Sequence, residues 1–592
     1  MKKILATLLI MFSSFSFADL NENLERERIK KEQYAEQERL QKEFIERNES
    51  FQNLNFEEIK NENLNEVKFY ISKINLSDDK KLLNEIEKER ILSKYIDKNL
   101  GGTDLTNLLA ELTNRLIAKG YITTTANITQ DNDLSTGVLN LEILYGKIEK
   151  ITLNNDTNLD NLKKFFLVKA KEGEVLNLRD LDTTTDNFNY LEANSMTMEI
   201  KPSEIEQHSV VELKNKMQDK FTLSMFSNNH GEDRQNAIWR WGTSLNIDSP
   251  LGIGDNIYFS YTSVHKKKPD RSWKRSPDIL KPGEILPIGP AGYDPSKGDV
   301  LPYKRILDLY NFRYSLKFRD YTFQIEKSKS EKESSFYSFN TIYDLNTISD
   351  TFSLSLSKIL WRNQKSKLSL GIGLKRKHNE NYLENAILYD RILAIGDISL
   401  NGSTILWGGL LNTSIAYERG LRALGAESDK GKIATTPKAE FNKYTLNTSF
   451  YKPINKFAYR FNLSTTHSND VLYGSEKHSI GGIGSVGGYH RTGSILGDKA
   501  IEIENELSYK VVDSQKWGTL SPYISHSYGL VKNNENHSKY AKGHISGLQL
   551  GLRYNFKYFY FDFAYARALN HSSYLEPKNR EIYFSTGIKL KF

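Results

Sequence analysis

The sequence predicts a transmembrane β-barrel of about 16 antiparallel strands, preceded by two small α/β units and an N-terminal helix. Three observations carry this. The chain ends on an alternating strand: Phe584, Thr586, Ile588, Leu590 and Phe592 share one face, and Tyr583, Ser585, Gly587, Lys589 and Lys591 the other. An apolar edge exposed at a chain end invites aggregation, whereas a barrel needs a last strand to pair with its first. The N-terminus then reads as an export signal, with no later apolar run long enough for a spanning helix. Finally, from Phe221 onward the chain is strand after strand, with aromatic and aliphatic residues opposite polar ones.

Residues 1–18 are expected to form the signal. Lys2 and Lys3 are its basic start, Ile4 to Phe12 its apolar run, and Ser16-Phe17-Ala18 its cleavage region. There is no Cys anywhere among the 592 residues, which removes disulfides and thiolate chemistry. The formal charge of +7 is slight for this length and no dense basic cluster stands out, so nucleic acid is not an expected partner. Mean hydropathy of −0.55 suits a soluble protein, but equally a barrel whose strands half face water. The 33 Tyr and 29 Phe fit aromatic girdles at membrane interfaces.

Residues 19–50 are expected to be a charged helix. Glu22 with Arg26, Glu27 with Lys31, Glu38 with Lys42 and Glu43 with Arg47 are Glu-first pairs at i, i+4. Leu24, Ile29, Tyr34, Leu40 and Phe44 hold no heptad, so no long coiled coil is expected. A helix polar all round needs water or a polar cavity: it is either a solvated linker or a plug lodged in a polar lumen. Residues 51–66 follow as a linker.

The first α/β unit spans 67–146. Val67 to Ile74 alternates as a strand. Asp104 to Lys119 is a helix with Leu105, Leu108, Leu109, Leu112 and Leu116 on one stripe, Thr103 as N-cap and Gly120 past its end. Strands Ile122 to Ile128 and Val138 to Leu144 follow. The second unit, 147–220, repeats the order: strand Ile148 to Leu153, helices Leu159 to Phe166 and Asn177 to Leu191, strands Ser195 to Ile200 and Ser209 to Leu213. The barrel is 221–592. In Asn236 to Asp248, Ala237, Trp239, Trp241, Leu245 and Ile247 oppose Ile238, Arg240, Gly242, Ser244, Asn246 and Asp248. Leu548, Leu550, Leu552 and Tyr554 oppose Gln549, Gly551, Arg553 and Asn555, and Phe559, Phe561, Phe563 and Tyr565 repeat the pattern. Seven of the 13 prolines lie between Pro269 and Pro302, a long irregular loop.

Several motifs together resemble one family. Thr103-Asp104-Leu105 through Gly120-Tyr121-Ile122, then Leu134 to Leu139, is similar to the haemolysin-activator type of POTRA domain; Leu176 to Leu181 resembles its second unit. Trp361 to Lys367, Tyr417 to Leu421 with Leu424-Gly425-Ala426, and Ser479-Ile480-Gly481-Gly482 resemble barrel signatures of the two-partner secretion transporters of the Omp85 superfamily. The resemblance implies an outer-membrane barrel with periplasmic POTRA domains. Its partners would be a secreted exoprotein bound unfolded by the POTRA domains, outer-membrane lipid, and the barrel-assembly machinery. The pattern Gly587, Leu590, Phe592 resembles the C-terminal signal that directs barrels to insertion. The alternatives are a barrel-assembly factor of the same superfamily and, in another class, a surface adhesin or porin.

The family's lumen loop carries a Val-Arg-Gly-aromatic tetrad. The matching positions here are Val486, Gly487, Gly488 and Tyr489, without the Arg. The resemblance pairs that Arg with an Asp of an inner-wall Phe-x-Asp-x-Gly motif. The positions here are Ser525, His526, Ser527, Tyr528 and Gly529, without the Asp. Losing both together is coherent, because losing one would strand a charge. Arg491 is a candidate substitute anchor.

No catalytic, cofactor or metal site is expected. Gly482-Ile483-Gly484-Ser485-Val486-Gly487 matches G-x-G-x-x-G, but no βαβ unit surrounds it. P-loop, H-E-x-x-H and G-x-S-x-G are absent, and the 11 His lack ligand spacing. His526 and Ser527 are adjacent on a strand, so they face opposite ways.

Overall fold

The structure is a computed structural model. It describes residues 67–231, 239–264, 306–338, 341–482, 484–489, 494–535, 541–575, 577 and 580–592, with Lys30, Tyr34, Gln37 and Phe56 singly. Residues 1–18, expected as the export signal, the remaining positions of 19–66, residues 269–302, expected as a loop, and Arg491 lie outside the described residues.

The first α/β unit contains β1 (Phe69–Ile71), β2 (Lys73–Ser77), α1 (Glu85–Leu92), β3 (Lys98–Leu100), α2 (Gly102–Ala118), β4 (Thr125–Ile128) and β5 (Val138–Leu144). The single strand expected at 67–74 is two: β1 pairs with β3, while β2 runs parallel to β5. Thr103 does not cap α2. Gly101 does, because Asp104 in the first turn accepts the Gly101 N–H at 2.9 Å and starts the helix earlier. Gly120 stands past the end at φ +103°, a conformation that favours glycine. The Leu stripe of α2 buries Leu108, Leu112 and Leu116 against Leu139 and Leu141 of β5. Helix α1 went unpredicted; its capping box is Asn84 with Glu87.

The second unit repeats the topology with β6 (Lys147–Leu153), α3 (Asn158–Leu167), α4 (Leu178–Asn189), β7 (Asn194–Pro202) and β8 (His208–Met217). Both sheets place a strand parallel and another antiparallel to the central one, in orders β2-β5-β4 and β6-β8-β7. β2, β4 and β7 are therefore edges of their sheets, whereas the outer side of β6 is bonded by the segment at Glu172–Val175.

The remaining wall strands are β9 (Phe221–Asn228), β10 (Arg240–Asp248), β11 (Asp255–Val264), β12 (Ile306–Phe318), β13 (Tyr321–Ser338), β14 (Thr341–Arg362), β15 (Ser366–Leu383), β16 (Ala386–Leu406), β17 (Gly409–Leu421), β18 (Asn442–Ile454) and β19 (Phe457–His467). A short hairpin follows, β20 (His478–Ile480) with β21 (Ile495–Gly497). The wall resumes with β22 (Lys499–Tyr509), β23 (Val512–Ser514), β24 (Gly518–Lys532), β25 (Lys542–Phe556), β26 (Phe559–His571) and β27 (Glu581–Lys591). β22 and β23 both pair with β24 and form one interrupted strand, so the closed antiparallel barrel has sixteen.

β27 pairs with β9, setting Gly587 against Phe226 and Leu590 against Leu223. The Phe221 N–H donates to the Phe592 carbonyl at 2.9 Å and the two rings stack. The alternation sorts the faces: Trp241 is 44% exposed on the outside, whereas Glu506 is 2% exposed on the inner wall. Lipid outside and a polar interior inside require this pattern.

The second unit seats on one rim. Phe165 and Phe166 pack on Phe318, Arg319 N–H donates to the Phe166 carbonyl at 2.7 Å, and Lys169 meets Asp320 at 2.9 Å. Arg362, the last residue of β14, reaches Asp186 at 2.7 Å, and Lys589 of the closing strand reaches Glu192 at 2.7 Å. The β20–β21 hairpin folds back from the far rim into the barrel.

Candidate functional site: the inner wall and its two occupants

Alternation gives the inner wall its chemistry. β22 turns Glu502, Glu504 and Glu506 inward, β24 Ser525, Ser527 and Gly529, and β25 Gly547, Gln549 and Arg553. Register aligns five inward positions across five neighbouring strands: Asn462, Glu504, Ser527, Gly547 and Ala568.

The hairpin tip rests on one end of that row. Val486 and Tyr489 are fully buried. A Cβ on Gly547 would overlap the Gly487 carbonyl oxygen, and a Cβ on Gly487 would overlap the Gln549 amide. Gly488, at φ +89°, leaves 2.6 Å between a notional Cβ and the Ala568 nitrogen. Its N–H donates to the Tyr583 hydroxyl at 2.9 Å. The Tyr489 hydroxyl donates to the Ser546 carbonyl at 2.8 Å, with the Asn570 carbonyl at 3.0 Å. Ile480 of β20 lies against Gly529. The tip is thus held by close backbone approach and two tyrosines, in a seat where Gln549 fills the space an arginine would need.

Ser525, Ser527 and Gly529 all face this seat. The Ser527 hydroxyl is 1% exposed and has no hydrogen-bond partner among the described residues. Gly487 and Ser527 do not touch through side chains, since Gly487 has none. They meet through Gly547, which is the strand partner of Ser527 and packs against Gly487.

The second occupant is a set of three described residues of the N-terminal segment, Lys30, Tyr34 and Gln37, each helical and spaced i, i+4, i+7 so that they share one face. Lys30 Nζ lies 2.7 Å from both Glu504 carboxylate oxygens. Asn462 Nδ2 donates to Tyr34 OH at 3.2 Å and to Glu504 at 3.1 Å. The Tyr34 ring lies 4.8 Å from the Arg460 guanidinium and 5.8 Å from that of Arg553. Both arginines neutralise Glu506, Arg553 by two bonds of 2.6 and 2.7 Å and Arg460 by one of 3.1 Å.

Glu504, Glu506, Arg460, Arg553 and Gln549 were missed from the sequence. The alternation Ile501-Glu502-Ile503-Glu504-Asn505-Glu506 held the signal: three acids on one face of a wall strand. One acidic cluster with a histidine also escaped residue spacing, since it forms across strands. His378, Glu380 and Asp390 bring their ligand atoms within 4.8 Å on the outer face of β15 and β16, where His378 Nε2 lies 2.7 Å from Asp390.

Comparison with known proteins covers most of the chain. The family model for the haemolysin secretion/activation protein ShlB/FhaC/HecB matches residues 207–554. The ShlB-type POTRA domain model matches residues 69–146 and a further POTRA domain model residues 147–202. The outer membrane transporter CdiB of Dickeya dadantii is 31% identical over 432 residues, covering 72% of this chain and 70% of that protein. The haemolysin transporter protein HpmB of Proteus mirabilis is 25% identical, covering 79% and 76%. The solved structure of CdiB from Escherichia coli shares the fold, with a TM-score of 0.81 at 23% identity over 96% of this chain and 98% of that one.

Proposed function

The chain belongs to the haemolysin secretion/activation protein family, and from that premise we propose that it exports one large exoprotein across the outer membrane by two-partner secretion. The barrel lies in the outer membrane, with its POTRA domains in the periplasm. The observation that carries the transport reading is the charged inner wall at Arg460, Glu504, Glu506 and Arg553, which Lys30 and Tyr34 meet. Such a wall lets an extended chain pass with its backbone solvated. The edges β2, β4 and β7 offer backbone to an unfolded exoprotein, which β-augmentation would capture. Folding outside the cell supplies the drive, and no catalytic step is required. Gly587, Leu590 and Phe592 serve insertion by the assembly machinery.

Secretion itself is the test. Co-expressed with its candidate exoprotein, this chain should bring that exoprotein into the medium, and a membrane without this chain should not. Accumulation of other barrels unassembled when this chain is deleted, with exoprotein export unchanged, would favour the assembly-factor reading instead.

In this reading residues 19–50 plug the lumen and leave during transport. The supporting contacts are those of Lys30 and Tyr34 with Glu504 and Asn462. Deleting 19–50 should raise single-channel conductance in planar bilayers severalfold while the barrel stays heat-modifiable. Unchanged conductance would assign the segment to a solvated linker.

A further inference from the structure

Helix α3 carries an apolar stripe that the second unit leaves uncovered. Leu159, Leu162, Phe165 and Phe166 recur at i, i+3, i+6 and i+7 and share one face. Leu167, on another face, is buried in the unit's own core. Leu162 is 44% exposed and Phe165 54%, although Phe165 packs on the barrel rim. A bare apolar stripe of this kind calls for a partner.

β12 shows which side of the wall the stripe meets. Tyr310 and Phe312 are exposed on the lipid side, so period two puts Phe318 on that side and Lys317 on the lumen side. Lys317 meets the ring of Tyr190, just past α4, at 4.7 Å. Phe318 meets the rings of Phe165 and Phe166 at 5.6 and 5.9 Å. The end of α4 therefore sits under the lumen side of the wall and α3 under the lipid side. Leu159 and Leu167 reach Gly252 and Gly254 in the turn between β10 and β11, where Leu251 is exposed as well. The stripe thus continues the lipid-facing surface of the barrel past its periplasmic rim. Two cations stand at the same level. The Arg319 guanidinium lies 5.3 Å from the Phe318 ring and 5.6 Å from that of Phe165. Lys358 Nζ lies 5.1 Å from the ring of Tyr321, the strand partner of Phe318. Neither cation has a carboxylate partner among the described residues, and the Arg319 Nε has no hydrogen-bond partner there. The cations that seat the second unit, Lys169, Arg362 and Lys589, each have one.

We propose that α3 lies in the periplasmic leaflet of the outer membrane, with Leu159, Leu162 and Phe165 against acyl chains and Arg319 and Lys358 on the phosphate of an anionic phospholipid. An apolar stripe flanked by cations at a belt of Phe318 and Tyr321 has the chemistry of an interfacial helix. Lipid is the occupant for two reasons. The stripe is continuous with a surface that lipid already covers, and unpaired cations beside aromatic rings complement a phosphate. An exoprotein passing inside the wall would be on the other side of it. The membrane then holds the second unit together with the rim ion pairs.

The chain has no Cys, so a single introduced thiol reports its own surroundings. In the full chain, reconstituted into vesicles of phosphatidylethanolamine with a minor share of phosphatidylglycerol, Leu162→Cys carries an environment-sensitive fluorophore. Ile86→Cys, exposed on α1, is the water reference, and Leu356→Cys, outward on β14, the lipid reference. With brominated acyl chains the label at 162 should be quenched about as strongly as the label at 356, and iodide should quench it several-fold less than the label at 86. Quenching by iodide as at 86, without quenching by brominated lipid, would put α3 in water and overturn the proposal. Protection from both quenchers would mean that protein, such as a second copy of the chain, covers the stripe, and would overturn it too. Loss of lipid quenching at 356 as well would overturn the placement of the barrel and the proposal with it. With only the phosphatidylglycerol brominated, quenching at 162 above that at 356 reports its enrichment beside the helix. Arg319→Gln should remove most of that enrichment while the barrel stays heat-modifiable, because Arg319 bonds the Phe166 carbonyl and the Asn187 amide through its backbone. No enrichment, or enrichment unchanged in Arg319→Gln, would overturn the phosphate site.

Discussion

Gly547→Val should abolish secretion while leaving the barrel assembled. The hairpin tip sits with the Gly487 carbonyl against the Gly547 Cα, so any side chain there meets backbone rather than a flexible side-chain end. The tip cannot slide along the row, because Gly488 is fixed by the Tyr583 hydroxyl and Tyr489 by the Ser546 and Asn570 carbonyls. Relief requires lifting the tip and exposing Val486 and Tyr489, a loss of about 1.5–3 kcal/mol for each side chain taken from full burial to water. The wall ladder survives, since position 547 already pairs through its backbone with Ser527 and Ala568. The expected result is at least a tenfold drop of exoprotein in the medium, with heat-modifiable barrel at its normal level. Normal export by Gly547→Val would mean that the tip has no part in transport. Gly487→Arg should fail in the same way, because its side chain would enter the space of Gln549. Adding Ser527→Asp should not suffice to restore it; Gln549→Ala is needed as well, and the new carboxylate would face Glu504 across the ladder.

Removing residues 67–146 should reduce secretion below detection without unseating the barrel. The first POTRA unit has its own core, with Leu108, Leu112 and Leu116 of α2 on Leu139 and Leu141, separate from the core around Phe188 and Leu213. The rim contacts described above all come from the second unit: Phe165, Phe166, Lys169, Asp186 and Glu192. What the deletion takes from the second unit is the packing of Ile122 against its core and two hydrogen bonds. Leu178 N–H loses the Gly120 carbonyl at 2.8 Å and Leu176 N–H the Gly146 carbonyl at 2.9 Å, both at the junction where water can replace them. What it takes from transport, in the proposed reading, is β2 and β4, two of the edges that capture the exoprotein. The check is exoprotein in the medium against barrel in the outer membrane, each by immunoblot. Export near the wild-type level would move recognition to the second unit alone.

The sequence by itself determined the fold class and which side chains face lipid. Period-two alternation is a local property: once Leu548, Leu550 and Leu552 are on one face, Gln549, Gly551 and Arg553 are on the other. The same holds for β27, whose alternation set its two faces, and which pairs with β9 at Gly587 and Phe226. The Leu stripe of α2 likewise named its own core. The sequence was misleading where a side chain a turn away decided the outcome, as when Asp104 moved the cap of α2 from Thr103 to Gly101. The inner-wall site was beyond it for a different reason. Which acid meets which base depends on register between strands far apart in sequence. Nothing local puts Lys30 on Glu504, 474 residues away, or sets Ser527 between Glu504 and Gly547. Residue matching could report that an Arg and an Asp were missing. Only the closed barrel could show that Gln549 occupies the vacant space, that two tyrosines hold the tip, and that the remaining acid lies one strand over, because those contacts exist only once sixteen strands have fixed one another's register.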